Sequence, residues 1–183
     1  MVLKEVELKR DYIYKGRIIK LRNDEVVLPD GQRAYREVVE HPGGVCVLPL
    51  SCTGEITLVR QYRYPCGDVL LEAPAGKLDP GEEPLACGAR ELMEETGIRA
   101  ERYISLGRVY TSPGFSTEII YLYLALGLIY EKSRPDDGEF LEIVKMPLED
   151  AVSRILDNKI ADAKTQIIIL RTHELVSRGK LEQ

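Results

Sequence analysis

Two rhythms of apolar residues run along the chain. VCVLPL, Val45 to Leu50, is apolar throughout, as in a strand buried on both faces. Pro49 belongs near its end, because proline cannot donate to a ladder. After a turn at Ser51 to Gly54, Ile56 to Arg63 reads as the next strand, and Val69 to Pro74 follows it. Arg102 to Tyr110, Glu118 to Leu128 and Phe140 to Met146 read as later strands. Between them lie a turn-rich loop, Thr111 to Ser116, and an acidic loop, Arg134 to Glu139. Elsewhere the spacing is helical. Leu85, Ala89, Leu92 and Thr96 predict a helix with Pro84 in its first turn and Gly97 as its stop. Leu148, Ala151, Val152 and Ile155 supply the apolar face of a helix over Leu148 to Asn158. Ala163, Ile167 and Leu170 do the same for one over Asp162 to Ser177. Residues 1–42 read mostly as strands, with Pro29, Asp30 and Gly31 turning a hairpin. That segment has little apolar content of its own and should lean on something else.

Composition narrows the class. The 183 residues fit one domain with a full core, and 44% hydrophobic with 30% charged residues is ordinary for a soluble protein. A net charge of -5 argues against a broad nucleic-acid footprint. The N-terminus lacks the apolar core of a signal peptide, and the longest apolar run, around Ile119 to Tyr130, is too short to span a membrane. Cys46, Cys52, Cys66 and Cys87 show no CxxC pairing and read as buried thiols of a cytoplasmic protein. His41 and His173 read as structural or surface residues, and no Ser-His-Asp or Cys-His arrangement is present.

Candidate chemistry gathers on the first helix. Glu91 and Glu95 lie four apart and share a face, with Glu94 one step round. Like charges so placed destabilise an isolated helix by roughly 0.2–0.5 kcal/mol per pair, and a cation between them reverses the sign. Hard carboxylate oxygens suit Mg²⁺ or Mn²⁺ rather than zinc. Arg90 can reach Glu94 at i,i+4, while Gly76 and Gly81 allow a tight loop to bring backbone oxygens to the same point. Alone, such a fragment is no more than a solvated acidic helix. Strand alternation puts Arg60 and Tyr62 on one face and Arg63 on the other, so both arginines serve one site only if the strand ends or bends between them.

The full spacing is more specific. Gly76, Glu82, Arg90, Glu91, Leu92, Glu94, Glu95, Gly97 and Ile98 fill every fixed position of the Nudix box. The chain therefore resembles the Nudix hydrolase superfamily. EAPAG (Glu72 to Gly76), RQYRYP (Arg60 to Pro65) and Pro113, in SPGF after the box, resemble its ADP-ribose pyrophosphatase-like subgroup. The resemblance implies an α/β fold, the Nudix α/β/α sandwich with a mixed sheet, at 43–183. It implies an N-terminal β-segment at 1–42 that serves a homodimer and its substrate pocket. It implies Mg²⁺, with Mn²⁺ possible, on Glu91, Glu95, Glu94 and the carbonyl of Ala75. Glu82 would support the loop. Glu94 counts also among the catalytic groups, and Glu139 and Asp137 are the candidates for the water-activating base. Substrate contacts would come from Ile18, Arg36, Glu37, Arg60, Arg63, Glu72, Pro113 and Gly114. Subgroup members often stack an aromatic residue on the adenine, where this chain has Ile18 and Arg36, so base choice stays open. The expected reaction is hydrolysis of ADP-ribose to AMP and ribose 5-phosphate. Another nucleoside diphosphate sugar such as GDP-mannose is the alternative substrate, and a Nudix-fold sensor without turnover is a more distant reading. No nucleic-acid or membrane partner is expected.

Overall fold

The computed structural model describes residues 3–133, 138 and 140–181. Backbone contacts divide the chain into two compact units, Met1–Gly43 with Tyr110–Ile119, and Gly44–Val109 with Ile120–Gln183. The first unit carries a three-stranded antiparallel sheet, β1 (Val6–Lys15), β2 (Lys20–Val27) and β3 (Arg33–Glu40), in that order. The β2–β3 connection is the hairpin expected at Pro29 to Gly31. Every residue of β1 is exposed, Val6, Leu8, Ile13 and Tyr14 among them. The Thr111 to Ser116 loop belongs to this unit: Val39 N donates to Phe115 O at 2.7 Å and Thr117 N to Val39 O at 3.0 Å. His41 Nδ1 accepts from Gly43 N at 3.1 Å, a structural use.

The second unit is built on β4 (Gly44–Pro49), all of it buried. β4 pairs in parallel with β9 (Ile119–Tyr130) and antiparallel with β7 (Ala75–Lys77), and β8 (Ile98–Tyr110) completes the mixed sheet β7-β4-β9-β8. A second, antiparallel sheet has the order β10-β5-β6, from β5 (Glu55–Arg63), β6 (Asp68–Glu72) and β10 (Leu141–Pro147). Alternation along β4 divides the core in two. Val45 and Val47 join Cys87, Leu92 and Ile98 in the cluster under α1 (Pro84–Thr96). Cys46 and Leu48 join Ile56, Leu58, Leu122 and Leu124 in the larger cluster. α2 (Leu148–Leu156) and α3 (Ala163–Ser177) close that one with Leu148, Ala151, Ile168 and Ile169. Helices thus cover both faces of β4, and each fully buried Leu or Ile contributes about 1.5–3 kcal/mol. No helix among the described residues is long and apolar enough to cross a membrane.

Two helical faces differ from expectation. α1 buries Cys87, Gly88, Leu92, Glu95 and Thr96, while Leu85 is exposed. The face turns towards Gly88 because the helix lies so close to β4 that a Cβ there would stand 2.9 Å from Val47 Cγ2 and 3.0 Å from Val45 Cγ2. α3 buries Thr165, Ile168, Ile169 and Thr172, leaving Ala163 and Leu170 outside. Of the four thiols, Cys46 and Cys87 are buried, but Cys52 is exposed in a turn and Cys66 at the end of the short 3₁₀ helix Tyr64–Cys66, and all four are free.

Gly97 ends α1 in the left-handed region, φ 69°, with its N–H on Met93 O at 2.9 Å. Its carbonyl receives Glu131 N at 2.7 Å, and a Cβ would meet Glu131 O at 2.3 Å. Gly97→Ala therefore combines a disfavoured φ with a backbone clash and is expected to cost more than about 1 kcal/mol, read from urea unfolding midpoints.

Candidate active site

α1 and the short strand β7 carry the site. Pro84 starts the helix where its missing N–H costs nothing. Arg90 gathers the acids beside it. Its Nε and one Nη donate to the two oxygens of Glu82 at 3.1 and 3.2 Å. The other Nη reaches Glu94 at 3.0 Å and Glu91 at 2.9 Å. Glu82 also accepts from Asp79 N at 3.0 Å and so ties the loop to the helix. The Arg90 guanidinium, helped by that backbone N–H, pulls the Glu82 carboxyl down to about 2. Burial and the nearby Glu82 push the Cys87 thiol up to about 12, so it is no nucleophile.

The glycine of β7 makes the closest approach. A Cβ on Gly76 would fall 1.9 Å from Glu91 Cδ and 2.0 Å from its Oε1, so the carboxyl lies directly against bare backbone. Glu95 is 3% exposed and accepts from Ala75 N at 3.1 Å. Carboxylates buried like this stay charged only beside cations or donors. Three carboxylates, Glu82, Glu91 and Glu94, touch the one Arg90 guanidinium, and Glu95 lies on the Ala75 N–H. That excess of hard oxygen charge beside a side-chain-free backbone fits a divalent cation. Among the described residues, no three acidic, histidine or cysteine side chains converge on one point as they stand. Arg90 stands amid them instead. A carboxylate has about four acceptor directions, so contact with Arg90 and ligation are compatible.

A second charged group is centred on the last residue of β6. Glu72, 1% exposed, receives Arg63 Nε at 2.9 Å, an Arg63 Nη at 2.6 Å and Lys164 Nζ at 3.0 Å. Burial raises the Glu72 carboxyl, but Arg63 and Lys164 outweigh it and leave it below the usual range. Glu95 is close enough to Arg63 to help hold that arginine charged. Lys164 bridges on to Asp162 at 2.9 Å, and Asp162 caps α3 through Thr165 N at 2.9 Å.

The expected site residues are distributed as follows. Glu91 and Glu94 meet on Arg90, Glu95 meets the Ala75 N–H, and Arg63 pairs with Glu72. Arg60 points elsewhere in the same unit, to Glu142 at 2.8 Å across the β5–β10 ladder. β5 ends at Arg63, yet the two arginines keep separate partners. Ile18, Arg36, Glu37, Pro113 and Gly114 belong to the first unit. There Arg36 makes a two-pronged pair with Glu5, at 3.0 and 2.6 Å, while Ile18, Glu37, Pro113 and Gly114 are exposed. Asp137 and Glu139 lie outside the described residues. Lys164 and Thr165 were missed from the sequence. The predicted helix begins at Asp162, but nothing local announces that the lysine two positions on reaches Glu72.

Because Glu82 titrates lower folded than unfolded, its stabilisation is present above about pH 4.5 and is lost as pH falls through about 2. Urea unfolding at pH 5, 3.5 and 2.5 is expected to show a smaller loss of stability for Glu82→Gln than for the wild type.

Comparison with known proteins identifies the family. Residues 40–168 match the NUDIX domain, and residues 7–39 match the nucleoside diphosphate sugar hydrolase N-terminal domain. An ADP-ribose pyrophosphatase of Bacillus subtilis (strain 168) is 41% identical over 169 residues, 91% of each chain. The methanol dehydrogenase activator of Bacillus methanolicus is 41% identical over 170 residues, 92% of each chain. A GDP-mannose pyrophosphatase of Yersinia pestis (strain Pestoides F) is 35% identical over 144 residues, 73% of this chain and 72% of its own. With a box helix laid on a glycine strand and relatives aligned along nearly its whole length, this chain belongs to the Nudix family and is a Nudix pyrophosphohydrolase.

Proposed function

We propose that the chain hydrolyses ADP-ribose to AMP and ribose 5-phosphate with Mg²⁺, Mn²⁺ serving as a substitute. The observation that carries this reading is the placement of Glu91 on Gly76 and of Glu95 on Ala75 N–H, with Arg63 close by. The names of the relatives from Bacillus subtilis and Mycobacterium tuberculosis support the choice of substrate. Nudix hydrolases generally need divalent metal ions. Glu91, Glu95, Glu94 and the Ala75 carbonyl would hold the cation here, where it would neutralise phosphate charge and acidify bound water.

The chain's own part is positioning and electrostatics. Arg63 has its Nε and one Nη on Glu72, which fixes the plane of its fork, and it offers the remainder to a phosphate oxygen. Glu72 therefore acts on substrate through Arg63. Arg60 and Gly114 would add phosphate or sugar contacts, with Pro113 shaping that loop. Ile18, Arg36 and Glu37 would meet the base. Water attacks one phosphorus, the bridging P–O bond breaks, and the leaving phosphate keeps the electron pair. Attack at either phosphorus gives the same two products. On family resemblance, Glu139 or Asp137 would take the proton from water.

The same reading takes residues 1–42 as the N-terminal segment of a homodimer. Its support is the fully exposed β1, whose apolar side chains need cover. Four free thiols support a cytoplasmic location. A second reading, GDP-mannose as substrate, is favoured by the Yersinia relatives, and the base-contact residues would decide it.

Purified protein with Mg²⁺ and a panel of ADP-ribose, GDP-mannose, NADH and diadenosine polyphosphates is expected to release AMP and ribose 5-phosphate fastest. Faster release of GMP from GDP-mannose would overturn the substrate, and no turnover on any compound would overturn the reaction. Gly76→Ala is expected to lower kcat about 100-fold, because its methyl displaces Glu91 by more than an ångström, while circular dichroism and Tm stay close to the wild type.

A further inference from the structure

Cation-binding helices of this kind are read by their own carboxylates, yet the backbone those carboxylates rest on must itself be held. Between β6 and β7 the chain runs through Ala73 and Pro74 before reaching Ala75 and Gly76. Three side-chain or backbone groups from three different elements fasten this turn. Val47 N of β4 donates to Pro74 O at 2.9 Å. Glu95 of α1 accepts from Ala75 N at 3.1 Å. Ala73 N, buried, donates to Thr165 Oγ1 of α3 at 2.8 Å.

The third fastening is the most constrained. The Thr165 hydroxyl spends its proton on Asp162 Oδ2, at 2.6 Å, which aims a lone pair at Ala73 N. Asp162 Oδ2 also accepts Thr165 N at 2.9 Å, and its Oδ1 accepts Lys164 Nζ at 2.9 Å. Lys164 continues to Glu72, the residue immediately before Ala73, at 3.0 Å. Thus the first turn of α3 grips two consecutive residues of the approach to β7, one by its side chain and one by its backbone. Thr165 is fully buried and Lys164 largely so. A side chain placed there only for packing would not need a hydroxyl.

We propose that Thr165, oriented by Asp162 and assisted by Lys164, is a positioning residue for the metal-ligating group. It fixes the β6–β7 turn from the side opposite α1 and so sets where Ala75 and Gly76 meet Glu95 and Glu91. This rests on the metal-site reading given above. Outer groups that orient a ligating shell typically cost 10–100-fold in metal affinity when removed.

The test is Mn²⁺ alone, titrated into the full chain and followed by the electron paramagnetic resonance of the free aqua ion, with urea unfolding measured in parallel. Thr165→Val keeps the volume and removes the hydroxyl, leaving Ala73 N–H without its acceptor. It is expected to raise the Mn²⁺ Kd by about tenfold or more. Thr165→Ser keeps the hydroxyl and loses a buried methyl. It is expected to lose stability yet bind Mn²⁺ within about twofold of the wild type, as outer-group orientation is retained. Thr165→Val binding like the wild type would overturn the proposal, and so would equal weakening in Thr165→Ser, which would mark the effect as packing. If Thr165→Val does not fold, Lys164→Met decides: weakened Mn²⁺ binding supports the proposal and wild-type binding overturns it. Glu95→Gln separates the two readings. Unchanged affinity in Glu95→Gln would sink the metal site itself, whereas a loss there without a loss in the Thr165 and Lys164 variants would sink only the role of α3.

Discussion

Gly76 has no side chain, and Glu91 lies where that side chain would be. The rest of the active unit is arranged to make this contact possible. β7 must run close beneath α1, which requires β7 to pair with β4 and α1 to sit low on β4. The helix sits low because Gly88 faces Val45 and Val47 without a Cβ. Two glycines, one on each side of the approach, thus bring a row of carboxylates down onto the backbone. An alanine at Gly76 would push the Glu91 carboxyl off the backbone, and one at Gly88 would press on Val45 and Val47.

Electrostatics then has to accommodate what packing brings together. Burying a carboxylate is costly unless it is paired. The unit meets that constraint in two ways. Arg90 touches Glu82, Glu91 and Glu94. Glu72, deeper in, has two cations, Arg63 and Lys164, for one charge. Lys164 is shared with Asp162, so the back of the site sets two cations against two carboxylates, while the front sets one guanidinium against three. Three carboxylates round one guanidinium suit a place where a divalent ion arrives.

How much of this was legible in the sequence depends on the range of each interaction. The ends of α1 were, because Pro84 and Gly97 act within a turn of where they stand. So was β4, whose apolar run needs no partner to be recognised. The strands came out within a few residues, except β7, whose three residues are too short for any periodicity. The buried face of α1 was misread at Leu85, since spacing cannot report that a glycine would let the helix lie closer on one side. The α3 face was misread for a related reason. Thr165 and Thr172 look polar, and only the acceptor and donor found around Thr165 make its burial tolerable. Glu72 was legible as important, but that its carboxylate serves Arg63 and Lys164 depends on residues 9 and 92 positions away. Pairings at that range leave no local trace.

The excursion from Tyr110 to Ile119 has a consequence for how such a chain can be divided. The catalytic unit gives up this loop to the N-terminal unit, where Phe115 and Thr117 bond to both sides of Val39. The two units are therefore stitched by the chain at three crossings rather than joined end to end. A cut at Gly43 would take Val39 away from Phe115 and Thr117, so the first 43 residues cannot be exchanged as a cassette without stripping the Tyr110–Ile119 loop of its backbone partners.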